Sequence, residues 1–520
     1  MSIRALANET AIYGLSSILG RGVYFLLTPI YTDFFTPFEM GIPTTVFAVI
    51  ALLMVFSTLR LEVAYFSRHG KHPDERTLFC TAWLATALLG GLLGLGLLFG
   101  SPYLSELYGY PAYRWVFALG GGILFFDALV ELPLARLRME SRPWMFAGVR
   151  LAGILLNVGL NVFWLLLLPK FPDAPAWLSA STAGVTYIFL ANLISSGFVF
   201  LLLTPQLRGM GGNSAADSKP IDVPVSIGLR FDWSLLKELL SFSLPLVVVG
   251  FSFIINETID RTLLPKVWPG GEEEGLTQAG IYGQCYKLAM LLALFTQAFR
   301  YGAEPYFFRE SGHVDAPVRY ARLARFYLLA ALIGCALVSL FLPALSHLFL
   351  RSEEFRSGIA VVPILLAANL CLGLYYNLSV WYKVTDRTRW GAYISVGGAI
   401  ITIVLNLLLI PILGFYGSAW ATLACYASMM IAAWWFGRSR YPIPYALGRM
   451  SSYVLLTVGA VALYFWLSPK LGPSVFELAQ EGATTAAWAR NLALALVLFL
   501  TIAGVFFTSE RRLLRAGAAT

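Results

Sequence analysis

Charge is what this sequence has least of. Of its 520 residues only 13% are Asp, Glu, Lys or Arg, about half the share of an average soluble domain, which leaves too little polar surface to coat a water-soluble globule of this length. Histidine is scarce, with 4 in the chain; His69 and His72 form an HxxH in a basic loop, too thin a donor set for a metal, and a solvated loop is expected there. The five cysteines, Cys80, Cys285, Cys335, Cys371 and Cys425, lie in apolar stretches without CxxC spacing. That excludes a disulfide framework and a zinc site and makes them small core residues. No P-loop, dinucleotide fingerprint or nucleophile and base constellation is present. An ATPase and a soluble active site are thereby excluded, no enzyme is expected, and the one cofactor in question is a coupling ion, sodium or a proton.

What the chain has instead is apolar length. Hydrophobic residues make up 58% and aromatic residues 15%, and the mean hydropathy is +0.72. Windows of about 20 apolar residues give about fourteen spans, so the expected class is an all-α polytopic membrane protein. Six run over 8–35, 39–67, 78–100, 112–137, 144–168 and 178–204. Six more run over 237–265, 277–308, 318–343, 357–382, 389–410 and 415–437, and two follow at 445–468 and 489–508. The stretch 8–35 is too long for a cleavable signal peptide and carries Arg21, so it reads as the first span. The net charge of +8 is scattered over short loops, not gathered in a stripe, which sets a nucleic-acid partner aside.

Those loops orient the chain. With the N-terminus inside, the inner segments hold about 24 Lys and Arg and the outer ones about 7, the bias expected when inner means cytoplasmic. Both termini are then cytoplasmic. One long polar interruption, Pro205 to Asp232, is rich in Gly, Asn and Ser and reads as a linker. The implied organisation is an N-lobe over 1–204, a linker and interfacial helix over 205–236, a C-lobe over 237–440, and two further spans with a tail over 441–520. Asp232 is placed to cap a helix whose Trp233, Leu235, Leu236, Leu239 and Leu240 are spaced to lie on the inner membrane surface.

The two sets of six spans carry a weak internal repeat. Arg60, Glu62, Tyr65, Phe66 and Arg68 at the end of the second span match Arg300, Glu304, Tyr306, Phe307 and Arg309 at the end of the eighth, and Met40-Gly41-Ile42 matches Ala279-Gly280-Ile281. Arg21 has Arg261 at a compatible offset of about 240 residues, so the repeat is parallel, with its axis along the membrane normal. A charge near the bilayer centre costs about 2.5–3.5 kcal/mol on insertion scales, so such residues face protein or a water-filled cavity. Guanidinium groups in a cavity match phosphate or carboxylate oxygens in bidentate fashion. Arg21, Arg60, Arg261 and Arg300 are therefore the candidate anion-binding residues, with Lys287 and Asn256 as further donors. The competing reading for Arg60 and Arg300 is snorkelling to the inner interface.

Several of these residues also carry a family resemblance. Ile12-Tyr13-Gly14, Leu27-Thr28-Pro29-Ile30-Tyr31-Thr32 and Glu39-Met40-Gly41-Ile42, then Ser243-Leu244-Pro245-Leu246, Asp260-Arg261, Ala279-Gly280-Ile281-Tyr282 and Tyr286-Lys287, resemble the first and second bundles of bacterial oligosaccharide flippases. These are polysaccharide-biosynthesis transporters of the multidrug/oligosaccharidyl-lipid/polysaccharide exporter superfamily. The resemblance implies two six-helix lobes around a V-shaped cavity, two extra C-terminal helices, and export of an undecaprenyl-diphosphate-linked glycan across the bacterial cytoplasmic membrane. It also assigns the diphosphate to the cavity arginines. The expected partners are the lipid-linked glycan and membrane lipid, with the chain acting as a monomer.

Six acids fall within spans: Glu62, Asp127, Glu131, Glu257, Asp260 and Glu304. Each is a candidate to neutralise a cavity arginine or to carry the coupling ion. Arg300 and Glu304 share an i,i+4 face, as do Asp127 and Glu131. The glycines at 90, 91, 94, 96 and 100 read as close helix packing. Two other functions compete with glycan flipping. An ion-coupled multidrug exporter would favour an acid-lined cavity, and a membrane glycan polymerase or glycosyltransferase would favour a large outer loop, whereas the outer loops here are short.

Overall fold

The computed structural model describes residues 20, 22–69, 72–140, 142–170, 184–208, 230–385, 387–480 and 484–510. Among them all regular structure is helical, and 12 helices are long and apolar enough to cross a membrane. The chain is a multi-pass membrane protein. Two expected spans stand outside that dozen. Of 8–35, residues 8–19 and 21 lie outside the described residues, and 277–308 belongs to a 39-residue helix, Glu272–Glu310, whose interior Gln284, Lys287, Gln297 and Arg300 make it less apolar.

In chain order the principal helices are α1 (Thr28–Phe34), α2 (Pro37–Thr58), α3 (Leu61–Arg68), α4 (Glu75–Leu107), α5 (Arg114–Met139), α6 (Pro143–Val162), α7 (Thr186–Arg208) and α8 (Trp233–Val267). They continue with α9 (Glu272–Glu310), α10 (Ala316–Leu340), α11 (Leu342–Phe349), α12 (Val362–Leu378), α13 (Arg389–Leu413), α14 (Phe415–Arg440), α15 (Leu447–Leu471) and α16 (Thr485–Ser509). The described residues form two compact units. One takes those up to Tyr24 and Pro43–Thr258, the other Phe25–Ile42 and those from Ile259 onward.

In the first unit, α4 and α5 pack through glycine. A Cβ on Gly94 would stand 2.7 Å from the Gly121 carbonyl oxygen, so only hydrogen lets the two backbones meet. Asp74 starts α4: its Oδ1 accepts the N–H groups of Arg76 and Thr77, each at 3.0 Å, and its Oδ2 accepts the Thr77 hydroxyl at 2.7 Å. The same carboxylate meets Arg230 Nη1 at 3.1 Å. Leu235, Leu236 and Leu239 of α8, expected on the membrane surface, are instead buried against Leu61, Tyr65, Leu78 and Phe79. An amphipathic stripe fits a protein groove as well as it fits a lipid surface, and here α3 and α4 supply the groove. Trp233 alone of that set is left well exposed, at 68%.

The Asp74 cap carries a pH signature. The Thr77 hydroxyl and N–H, aided by Arg230, hold the Asp74 carboxyl down at about 2, below the ordinary aspartate value. A depressed carboxyl stabilises the fold above the unfolded-state value near 3.8 and loses that contribution as pH falls through about 2. Asp74→Ala is expected to lower stability by about 1 kcal/mol at neutral pH, as loss of an N-cap does. In thermal unfolding of detergent-purified protein, the gap from wild type should close as the pH is taken from about 4 to about 2. A gap unchanged by acid would count against the cap.

In the second unit, the segment 25–42 is built into the core. Thr32 is fully buried; its hydroxyl donates to the Phe349 carbonyl at 3.1 Å and accepts the Arg351 N–H at 3.0 Å. The start of α2 crosses α9 backbone to backbone at the two glycines that the repeat aligns. A Cβ on Gly280 would stand 2.8 Å from the Pro37 carbonyl carbon and 2.9 Å from the Gly41 nitrogen, and one on Gly41 would stand 2.8 Å from the Leu276 carbonyl carbon. The last two long helices, α15 and α16, pack on α10. Glu510, 3% exposed, fastens them: it accepts the Tyr453 hydroxyl at 2.8 Å and lies 3.6 Å from Arg325 and 3.7 Å from Arg449.

Candidate functional site

The helix break at Leu59 and Arg60 builds the first charged cluster. Neither residue is glycine, yet both take the left-handed conformation, with φ of 46° and 54°, a geometry that costs L-residues about 1–2 kcal/mol each. Helix α2 stops at Thr58 and α3 restarts at Leu61. In a continuous helix, residues two apart point away from each other; the break instead brings Arg60 Nη1 to 3.5 Å from Glu62 Oε1. Glu62 is 7% exposed, and its Oε2 has no hydrogen-bond partner among the described residues.

On its other side the Arg60 guanidinium lies against α8 at Gly250, where a Cβ would sit 2.6 Å from both Nε and Nη2. Gly250 thus makes the seat for the guanidinium. Because the obstructing atoms end a flexible side chain, Gly250→Ala is expected to displace Arg60 and leave the fold intact. A several-fold loss of the export implied by the family resemblance, at unchanged thermal stability, is the expected result in reconstituted vesicles. Full activity in this variant would show that the seat is dispensable.

The other acids of this unit find partners beyond their shared i,i+4 face, Arg150 of the next span among them, as the sequence suggests. Glu131 lies 3.9 Å from Arg138, whose guanidinium stacks over Phe66 at 5.1 Å. Asp127 hydrogen-bonds Ser196 and lies within electrostatic reach of Arg150 and Glu131, and Glu62 also feels Glu131. Asn256 on α8 is buried and Glu257 is half-buried.

In the second unit, α8 and α9 set out a second cluster. Asp260, 3% exposed, accepts the Tyr282 hydroxyl at 2.7 Å and the Arg261 backbone N–H at 2.8 Å. Each of its oxygens accepts from a neutral donor, and the carboxylate also feels the Arg261 charge. The Arg261 guanidinium lies over the Tyr286 ring at 4.3 Å, and Lys287 Nζ over the Tyr31 ring at 5.4 Å. The two cations feel each other's charge, and Lys287 forms no ion pair with a described residue. Further along α9, Arg300 stacks on Tyr376 at 3.9 Å and meets Glu304 at 3.3 Å. Lys383 reaches the same Glu304 oxygen at 2.9 Å.

The expected i,i+4 pair of Arg300 and Glu304 is thus present, with a second cation that sequence reasoning missed. Lys383 sits at the end of its span, and nothing in its spacing says which acid it meets. The tyrosine platforms under Arg261, Lys287 and Arg300 were likewise missed as partners, although Tyr31 and Tyr286 stand within the motifs that carry the family resemblance. Arg21 lies outside the described residues.

The fold has known counterparts. A lipid II flippase, MurJ, in an inward closed conformation superimposes with a TM-score of 0.63 at 11% identity, over 96% of this chain and 99% of that one. An inward-facing multidrug resistance MATE family transporter of the MOP superfamily matches with 0.54 at 17% identity, over 87% and 96%. An outward-facing multidrug resistance MATE family transporter of the MOP superfamily matches with 0.54 at 15%, over 84% and 95%. No family model matches the sequence, and neither does any curated protein. The chain has the fold of the MOP-superfamily flippases and exporters.

Proposed function

We propose that the chain is a transporter that carries a lipid-diphosphate-linked glycan from the inner to the outer leaflet of the bacterial cytoplasmic membrane by alternating access. The observation that carries this reading is the Arg261 and Lys287 pair. Two cations within electrostatic reach repel each other, and Asp260, which feels the Arg261 charge, sets one negative charge against the two positive ones. A diphosphate offsets that repulsion: the guanidinium fork takes two oxygens while the ammonium acts as a point charge. Stacking on Tyr286 and Tyr31 fixes both cations in place, so little side-chain entropy is lost when the anion arrives. Arg300, on Tyr376, is a further phosphate or sugar contact in the same unit. The MurJ likeness supports a lipid-linked cargo over a free anion.

The coupling ion, proton or sodium, is assigned to the acids of the first unit, Glu62, Asp127 and Glu131, and to Glu257 on α8. Those same acids favour the second reading, an ion-coupled exporter of cationic drugs, and the MATE likeness supports it. The two readings separate in the host. Deletion of the gene is expected to leave lipid-linked glycan on the inner leaflet, restored by the wild-type gene and not by Arg261→Ala at equal expression. Unchanged glycan export in a strain without a second transporter would sink the flippase reading, and drug resistance conferred by the gene would favour the exporter.

A further inference from the structure

Helix α9 presents two tyrosines one turn apart to α8, and each takes a different member of an adjacent acid and base. Asp260 and Arg261 are consecutive on α8, so their side chains leave the helix about 100° apart. The Tyr282 hydroxyl donates to Asp260 Oδ2 at 2.7 Å, while the Tyr286 ring lies under the Arg261 guanidinium at 4.3 Å. The two rings stand 5.9 Å apart, centroid to centroid, as residues i and i+4 of one helix face do. Tyr282 is fully buried and Asp260 is 3% exposed, so neither is placed to touch a ligand itself.

At the other two candidate arginines among the described residues, the nearby acid stands on the guanidinium. Arg60 has Glu62 at 3.5 Å, and Arg300 has Glu304 at 3.3 Å. Asp260 is closer in sequence to Arg261 than either of those acids is to its arginine, and it feels the Arg261 charge. Its oxygens nevertheless go to the Tyr282 hydroxyl and to the Arg261 backbone N–H, the latter at 2.8 Å. The difference matters for an anion. A carboxylate turned onto a guanidinium occupies its fork in bidentate fashion, and an incoming diphosphate would first have to displace it.

We infer that Tyr282 is a positioning residue of the anion site: its hydroxyl holds the Asp260 carboxylate off the Arg261 guanidinium, so that the cation recognises a phosphate instead of its own neighbour. The inference rests on the diphosphate reading above. It gives the two tyrosines of α9 separate tasks, Tyr286 seating the cation and Tyr282 restraining the acid. With the hydroxyl removed, a buried carboxylate oxygen loses its donor. An unmade hydrogen bond to a buried charge is costly, and the guanidinium of the next residue is the charged donor at hand.

The test is calorimetric titration of the detergent-purified full chain with geranyl diphosphate, a short and soluble lipid diphosphate. Tyr282→Phe, which removes a single oxygen, should bind the probe about tenfold more weakly, the lower end of what one hydrogen bond to a charged group contributes. Adding Asp260→Asn to that variant should restore wild-type binding, because no carboxylate remains to occupy the fork. Asp260→Asn alone, with the tyrosine intact, should bind at least as tightly as wild type. Wild-type binding by Tyr282→Phe would overturn the inference. So would a loss that Asp260→Asn does not reverse, the mark of a tyrosine needed only for packing. Weaker binding by Asp260→Asn alone would overturn it as well, and this variant decides the matter should Tyr282→Phe fold poorly. Failure of the diphosphate reading looks different: Arg261→Ala and wild type would then bind the probe equally, and the inference would fall with that reading.

Discussion

Arg261→Ala is expected to cut translocation of a lipid-diphosphate-linked glycan by about 10- to 100-fold in proteoliposomes, the loss that follows when a charge-assisted hydrogen bond worth about 1.5–3 kcal/mol is removed. The fold should survive. Arg261 is half-buried beside the Tyr286 ring, and the variant should elute as the wild type does in size exclusion. Arg261→Lys keeps the charge and loses the fork, and recovery of only part of the rate would show that bidentate geometry is used. Lys287→Gln should cost less, because an ammonium contributes a point charge alone. The double variant should fall short of the product of the singles, since two cations that meet one diphosphate are coupled. Wild-type flipping by Arg261→Ala would remove the central argument for a diphosphate cargo.

Much of this arrangement is legible in the sequence, and what is not has identifiable causes. Runs of about 20 apolar residues, interrupted by basic loops, specify the spans because backbone groups in lipid must be satisfied within a helix. The clusters on α8 and α9 follow from charges that stand inside such runs. The Arg60 and Glu62 pair is expected from closeness in sequence and is present. The geometry that lets it form does not follow, for a helix places i and i+2 on opposing sides, and no glycine warns that Leu59 and Arg60 will turn left-handed. The surface leucines were misplaced for the opposite reason. Leu235, Leu236 and Leu239 have the right spacing for a membrane surface, and only the presence of α3 and α4 decides that protein covers them instead. Lys383 illustrates a third limit, since contacts between spans distant in sequence depend on helix rotation, which hydropathy leaves undetermined.

The repeat gives one more result, at the crossing of α2 and α9. Met40-Gly41-Ile42 and Ala279-Gly280-Ile281 were aligned by similarity alone, and the structure places the two glycines against each other. Gly280→Val is expected to abolish monodisperse folded protein. Its Cβ would overlap the Pro37 carbonyl and stand 2.9 Å from the Gly41 nitrogen, and backbone, unlike the Arg60 side chain beneath Gly250, has no rotamer by which to yield. The helices must separate, which forfeits close backbone packing along the crossing as well as costing the overlap itself. Overpacking of this kind costs about 1–3 kcal/mol and more where backbone must move. Gly280→Ala should lower the unfolding temperature measurably and leave some folded protein. Gly41→Ala should do likewise, because its Cβ meets the Leu276 carbonyl on the same face. The pair then gives a sharper test than either alone. If both act by forcing the same two helices apart, the first substitution opens the gap that the second needs, and the double variant should lose clearly less than the sum of the singles. Full additivity would mean that the two glycines serve separate contacts, and that their alignment in the repeat does not reflect a shared crossing.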